Sequence, residues 1–173
     1  MVAAATAAVV WGLVNYFHLG RPGVLGMISG GIAGLVAITP ASGFVDVSGA
    51  IAIGIGAGVF CYSGILLRKH FGFDDALDVF GVHGIGGTWG AIATGLFATA
   101  AVNPIVVDQG LLYGGGLTLL GAQLIAVASV WAFAFAITFV VMHVLKRTMT
   151  LRMTKEEERI GADIIQHGEN AYS

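Results

Sequence analysis

Between Val79 and Val107 the chain carries no Asp, Glu, Lys or Arg, yet it places one ionisable side chain there, His83. The stretch is apolar enough to lie in a bilayer. An ionisable group is costly in that setting, and one that is present usually faces a cavity, a partner or a transported species. Imidazole is the least costly such group, because while neutral it donates from one nitrogen and accepts at the other. Helical spacing puts Val79, His83, Gly86 or Gly87, and Gly90 along one side, with the ring beside bare glycine backbone. At about 1.5 Å per residue, His83 lies about 7–8 Å beyond Asp78, short of the midplane unless Asp78 is drawn in as a helix cap. A plainer role fits equally well: a histidine that bonds a neighbouring carbonyl and holds two helices in register. Both readings stay open on residue types alone. A metal centre is not expected, because no second His, Cys or carboxylate sits at ligand spacing inside a span. A membrane enzyme is a distant reading, since His83 has no nucleophile or metal partner in reach.

The elements that must position His83 follow from composition. The chain is 57% hydrophobic and 10% charged, with a mean hydropathy of +0.88, whereas soluble domains have about 25% charged residues. Its charges cluster and leave uncharged runs over residues 1–20, 22–45, 47–67, 79–107 and 109–145. A helix needs roughly 20 apolar residues to cross the hydrocarbon. The expectation is an all-α, polytopic helical membrane protein of about five spans, over residues 2–18, 24–40, 49–67, 77–98 and 118–145. Residues 1–147 then form the membrane region and 148–173 a polar tail. A net charge of −2 suggests no nucleic-acid partner, and the lone Cys61 excludes an internal disulfide.

Orientation follows from Lys and Arg. Arg21 falls in the first connection, Arg68 and Lys69 in the third, and Lys146, Arg147, Arg152, Lys155 and Arg159 in the tail. The second and fourth connections carry only Asp46 and Asp108. All basic residues therefore fall on one side, which the positive-inside rule makes cytoplasmic, with the C-terminal tail inside and Met1 outside. The chain also begins almost directly in an apolar run, without the basic n-region or small-residue cleavage site of a signal peptide. Together with the short first span, this suggests a chain that lacks its front portion; the alternative is a genuine short protein.

The 27 glycines include small residues four apart, at Gly26, Gly30 and Gly34, at Gly54 and Gly58, and at Gly86 and Gly90. Such faces bring helix backbones close in lipid, where hydrophobic drive between helices is weak. Pro40 marks a helix stop, and the hydroxyl of Thr39 before it either bonds back to the helix or faces a vestibule. In the tail, Thr154-Lys-Glu-Glu157 reads as a capping box opening a short helix that ends near Gly161.

Three separated motifs carry a resemblance. Asp75-Ala-Leu-Asp-Val-Phe-Gly-Val-His-Gly-Ile-Gly-Gly, Ser29-Gly-Gly-Ile-Ala-Gly-Leu-Val-Ala-Ile-Thr-Pro-Ala-Ser-Gly43 and His167-Gly-Glu-Asn-Ala-Tyr172 resemble, in order, the ammonium transporter (Amt/MEP) family. The match runs over essentially the whole chain but covers only the last five spans and tail of the eleven-helix fold. The resemblance implies a homotrimer in the plasma membrane, each subunit with a narrow hydrophobic pore between two inverted halves. It implies that ammonium is deprotonated, that ammonia crosses, and that the proton is relayed separately by two hydrogen-bonded histidines. His83 matches one of them. A neutral imidazole pair can accept and hand on a proton without placing a fixed charge in the bilayer. Val79 matches an apolar pore-lining position, Thr39 one near the lumen, and Asp78 an acidic position read as a cap; Gly86 and Gly87 support the site. No cofactor is implied.

The partner histidine lies on the family's fifth span and has no counterpart here; His18, His70 and His143 lie at or near span ends and cannot stand in. The resemblance further implies a regulatory tail, with Gly161, Asp163, His167, Gly168 and Tyr172, that couples neighbouring subunits and, in prokaryotic members, docks a PII signalling protein. The leading expectation is therefore the C-terminal portion of an ammonium transporter, active with the missing spans. The alternative is a non-conducting assembly or regulatory subunit.

Overall fold

The structure, a computed structural model, describes residues 1–171. It is all-helical over those residues and divides into two units, Met1–Ser129 and Val130–Ser173.

The first unit is a bundle whose helices begin and end where the sequence supplies the chemistry. Helix α1 (Val2–Leu19) ends at Gly20, whose φ of 76° suits a residue without a side chain and lets its N–H return to the Tyr16 carbonyl. Helix α2 (Val24–Ile38) runs into a 3-10 turn, Thr39–Ala41, around Pro40. There the Thr39 hydroxyl donates to the Leu35 carbonyl at 2.7 Å, so it bonds back to its own helix. Helix α3 (Val47–Phe71) opens on Asp46, whose carboxylate accepts from the Gly49 N–H, and closes on Gly72 at φ 69°. A π-helical turn, Phe80–Ile85, leads directly into α4 (Gly86–Phe97). Helix α5 (Thr118–Thr148), which begins in this unit and continues into the second, has no buried residue along its length.

Four of these helices, Val2–Leu19, Val24–Ala41, Val47–Phe71 and Thr118–Thr148, are long and apolar enough to cross a membrane. The expected span at 77–98 is corrected in two respects. Its helix starts after Asp78, because Asp78 itself adopts φ 54° and cannot continue a right-handed helix. It also divides into a six-residue π-turn and a twelve-residue α-helix. The α3 span, expected over 49–67, extends at both ends, because the Asp46 cap starts it earlier and no breaker intervenes before Gly72.

Packing depends on small side chains. A Cβ on Gly34 would lie 2.5 Å from the Ala3 carbonyl oxygen, and one on Gly54 2.6 Å from the same atom, so α2 and α3 grip α1 from two sides. The fully buried core is Ala7, Ala37, Ala41, Ile53, Ala57 and Ala93. A second cluster gathers Trp11, Ala33, Cys61, Tyr62, Ile65 and Val82. Large apolar residues of this unit are exposed instead, among them Phe17, Leu25, Phe60 and Leu67. That distribution suits lipid, where close backbone approach rather than an apolar interior holds helices together.

The ends of this unit differ in charge. At one end the connections after α2 and α4 meet: the Thr99 N–H donates to the Phe44 carbonyl, and the Tyr113 hydroxyl donates to Asp46 at 2.6 Å. At the other end stand Arg21, Arg68 and Lys69. There Arg68 pairs with Asp78 at 2.8 Å, and His18 Nδ1 lies 2.6 Å from the Tyr62 hydroxyl.

In the second unit, α6 (Lys155–Ile160) carries the full capping box between Thr154 and Glu157 and stops at Gly161. A second π-turn, Asp163–His167, follows and closes on Gly168.

Candidate functional site

The candidate site is built on the π-turn. Asp75 starts it: one carboxylate oxygen accepts the Val79 N–H at 2.9 Å and the other the Phe80 N–H at 2.8 Å. These are the donors that a helix start leaves without partners. Asp78 does not play the capping role expected of it. Its carboxylate turns to Arg68, at 2.8 Å from Nη2, and only its backbone carbonyl joins the helix, accepting from Val82.

Beyond this start the helix has two distinct sides. Gly81 and Val82 are buried, and a Cβ on Gly81 would lie 2.7 Å from the Ile65 side chain. Gly86 and Gly90 continue that packed side. A Cβ on Gly86 would lie 3.0 Å from Cys61 Sγ, and one on Gly90 would collide with the Ala37 backbone carbonyl. Cys61 also donates a long S–H···O contact, 3.9 Å, to the Val82 carbonyl. Trp89 fixes the next turn, its Nε1–H donating to the Ile53 carbonyl at 3.0 Å while Phe60 meets its ring edge-on at 4.9 Å.

The opposite side is open. Val79 is 49% exposed, His83 is exposed, and a Cβ on Gly87 would meet nothing within 4 Å. The single face expected for Val79, His83, Gly86 or Gly87, and Gly90 is therefore corrected. The π-turn contains one more residue per turn than an α-helix. Val79, His83 and Gly87 consequently share the open side, while Gly86 and Gly90 lie on the packed one. Among the described residues the His83 ring forms no hydrogen bond. Thr39 is exposed, but its hydroxyl is committed to Leu35.

Several contributors escaped sequence reasoning. Asp75 accepts from residues four and five ahead, an offset that ordinary capping patterns do not include. Cys61 and Trp89 act from across a helix interface, where no local signal exists. The clasp at the acidic end of the first unit was also missed. Asp46 accepts from the Gly49 N–H at 2.8 Å, Tyr113 hydroxyl at 2.6 Å and Ser48 hydroxyl at 2.7 Å. These bonds, that from Gly49 first, lower its pKa to about 2, and donation to Asp46 raises that of Tyr113.

In the tail, the structure brings four expected residues together. Asp163 accepts the Ala171 N–H at 3.0 Å through its side chain and the Glu169 N–H at 3.1 Å through its carbonyl. The Ala171 contact, followed by the Ile164 N–H, pulls its carboxyl below the ordinary range. Gly161 lies against the Asp163 carboxylate, His167 ends the π-turn, and Gly168 closes it at φ 66°. Tyr172 lies outside the described residues. Among those residues no group of three or more His, Cys, Asp or Glu side chains converges as a metal site does.

The helical fold of the chain matches solved structures. The chain superposes on Saccharomyces cerevisiae Mep2 with a TM-score of 0.83 and 33% identity, over 95% of this chain and 38% of that one. A structure described as a sensor Amt protein gives 0.82 and 28%, over 95% and 40%. In sequence, the chain is 51% identical to an ammonium transporter of Bacillus subtilis, over 98% of this chain and 42% of that protein. It is 46% identical to ammonium transporter Amt1 of Archaeoglobus fulgidus over the same shares. The profile described as the Ammonium Transporter Family matches residues 1–172. The chain belongs to the ammonium transporter family, as a multi-pass helical membrane protein. It spans about two-fifths of the length of these relatives, which are named as transporters and not as enzymes.

Proposed function

We propose that this chain forms one wall of a path that carries ammonium nitrogen across the plasma membrane, with the opposite wall supplied by spans it does not itself contain. The observation that supports this most directly is His83, an ionisable residue within the stretch 79–107 that has no Asp, Glu, Lys or Arg, standing on the open side of its helix. Left against lipid, such a group would be costly; against a second wall it meets a solute. A bare ammonium ion pays a large desolvation penalty in an apolar tube, whereas ammonia does not. The proton must therefore leave the nitrogen, and His83 is the group on this wall able to accept it and pass it on while returning to neutrality. Val79 and Gly87 keep the surface beside the ring apolar and unobstructed.

The clustering of Arg21, Arg68 and Lys69 at one end of the first unit supports a cytoplasmic position for that end under the positive-inside rule. The complete assembly is a homotrimer with a cytoplasmic tail. That tail, ordered by the Thr154 capping box and the Asp163 clasp, also supports a second reading: a regulatory subunit that presents the tail to a PII-type protein without conducting.

One experiment separates the two. His83→Leu, introduced together with the spans that complete the pore, is expected to abolish ammonium uptake into liposomes while the protein remains folded. An unchanged rate would overturn the conducting role. In the regulatory reading His83→Leu is tolerated, and deleting residues 161–172 removes the activity.

A further inference from the structure

The conduction reading leaves open what decides which solutes can lie against His83, and three of the glycines near it, Gly86, Gly87 and Gly90, answer differently. A Cβ on Gly86 would press on Cys61 Sγ at 3.0 Å, and one on Gly90 would strike the Ala37 backbone. Both glycines are accounted for by helix packing. Gly87 is not: a Cβ there meets nothing within 4 Å, and the residue is only partly covered. Glycine within a helix loses more freedom on folding than alanine. A helical glycine with no neighbour to accommodate therefore has no packing reason among the described residues.

Its position supplies another reason. In a straight α-helix, Val79 and Gly87, eight residues apart, would stand about 80° apart around the axis, at roughly 100° per residue. The π-turn Phe80–Ile85 lies between them and takes up an additional residue. That rotation brings Val79, His83 and Gly87 into one open column, with Gly87 a single turn beyond the imidazole. Two contacts fix the register, the Asp75 carboxylate on the Val79 and Phe80 N–H groups and the close approach of Gly86 to Cys61.

Resting on the conduction reading, we propose that Gly87 is a specificity-determining position. Its missing side chain is the clearance beside His83, and that clearance sets the largest amine able to pass. A solute the size of ammonia fits against a bare backbone or beside one methyl group. A one-carbon homologue needs the space that the methyl would occupy.

The test uses the complete assembly reconstituted in liposomes, with ammonium and methylammonium uptake measured on the same preparations and the folded fraction followed by size-exclusion chromatography. Gly87→Ala is expected to leave the folded fraction unchanged, retain ammonium uptake within about threefold, and lower methylammonium uptake at least tenfold. Gly87→Val is expected to block both. Gly90→Ala is the packing control and is expected to lose folded protein instead. Equal changes for the two amines in Gly87→Ala would overturn the proposal, as would loss of folded protein in that variant. Wild-type assemblies that carry neither amine would overturn the conduction reading itself, and this inference with it.

Discussion

The ion pair between Arg68 and Asp78 joins α3 to the start of the π-turn, and its two halves should not be equally important. The contact is 2.8 Å, with side chains 21% and 35% exposed. The Nε of Arg68 is buried and has no partner among the described residues. Removing the carboxylate by Asp78→Asn therefore leaves a guanidinium, already short of one acceptor, without its counter-charge. Breaking a fully buried pair from one side costs about 3–5 kcal/mol, and exposed pairs contribute about 0–1 kcal/mol. At this partial exposure a loss of about 1–2 kcal/mol is expected. Asparagine enters the left-handed region readily, so the substitution leaves the φ of 54° at this position in place and tests charge alone. Arg68→Met removes the charge together with the unsatisfied Nε, keeps most of the apolar stem, and leaves an Asp78 that can turn to water. Its expected cost is about 0–1 kcal/mol. The double variant should resemble Arg68→Met, giving a coupling equal in size to the Asp78→Asn loss, about 1–2 kcal/mol, in a double-mutant cycle. Reversible unfolding in mixed micelles provides the measurement. A cost for Arg68→Met equal to or above that for Asp78→Asn, or strict additivity of the two, would refute the asymmetry.

Two further outcomes follow from the loops and the tail. Asp46 is depressed from 3.8 to about 2, so its contribution is complete above the ordinary value and lost as pH falls through about 2. Tyr113→Phe removes one of the bonds responsible and should move that acid transition upward, read as earlier loss of protection at the Gly49 N–H in hydrogen exchange; an unmoved transition would contradict the clasp. In the tail, Thr154→Ala removes the hydroxyl that caps the Glu157 N–H and should cost α6 about 1 kcal/mol, seen as faster exchange confined to that helix. Exchange unchanged there would show that the capping box does not hold it.

How much of this was legible beforehand depends on whether the cause is local. The spans of α1 and α2, the glycine faces, the stop at Pro40 and the tail capping box are set by residues adjacent in sequence, and each was readable. For Thr39 the sequence offered two partners, and the structure selects the local one, the Leu35 carbonyl one turn back. That Asp75 rather than Asp78 would cap the turn was not legible, because it depends on Arg68, ten residues before Asp78 and on another helix. Two acids three apart look alike until one of them is claimed by a distant cation.

The π-turn is the sharper case, because it concerns His83 itself. A regular helix with Gly86 or Gly87 on the His83 side is what a period of 3.6 predicts, and nothing in the string from Asp75 to Gly87 announces an added residue. The turn is imposed from outside. Upstream, Gly81 must face Ile65; downstream, Gly86 and Gly90 must face Cys61 and Ala37. Gly81 and Gly86 are five residues apart, more than one α-turn, and a wider turn between them brings both onto the packed side. Such turns occur frequently at functional sites, and here it lies beside His83 because the residue that relieves the register conflict also rotates the imidazole outward. Packing and presentation of the histidine are thus one constraint. Shortening the turn would force either Gly81 or Gly86 off its contact, so the orientation of His83 rests on glycine contacts with α3 rather than on any bond to its own ring.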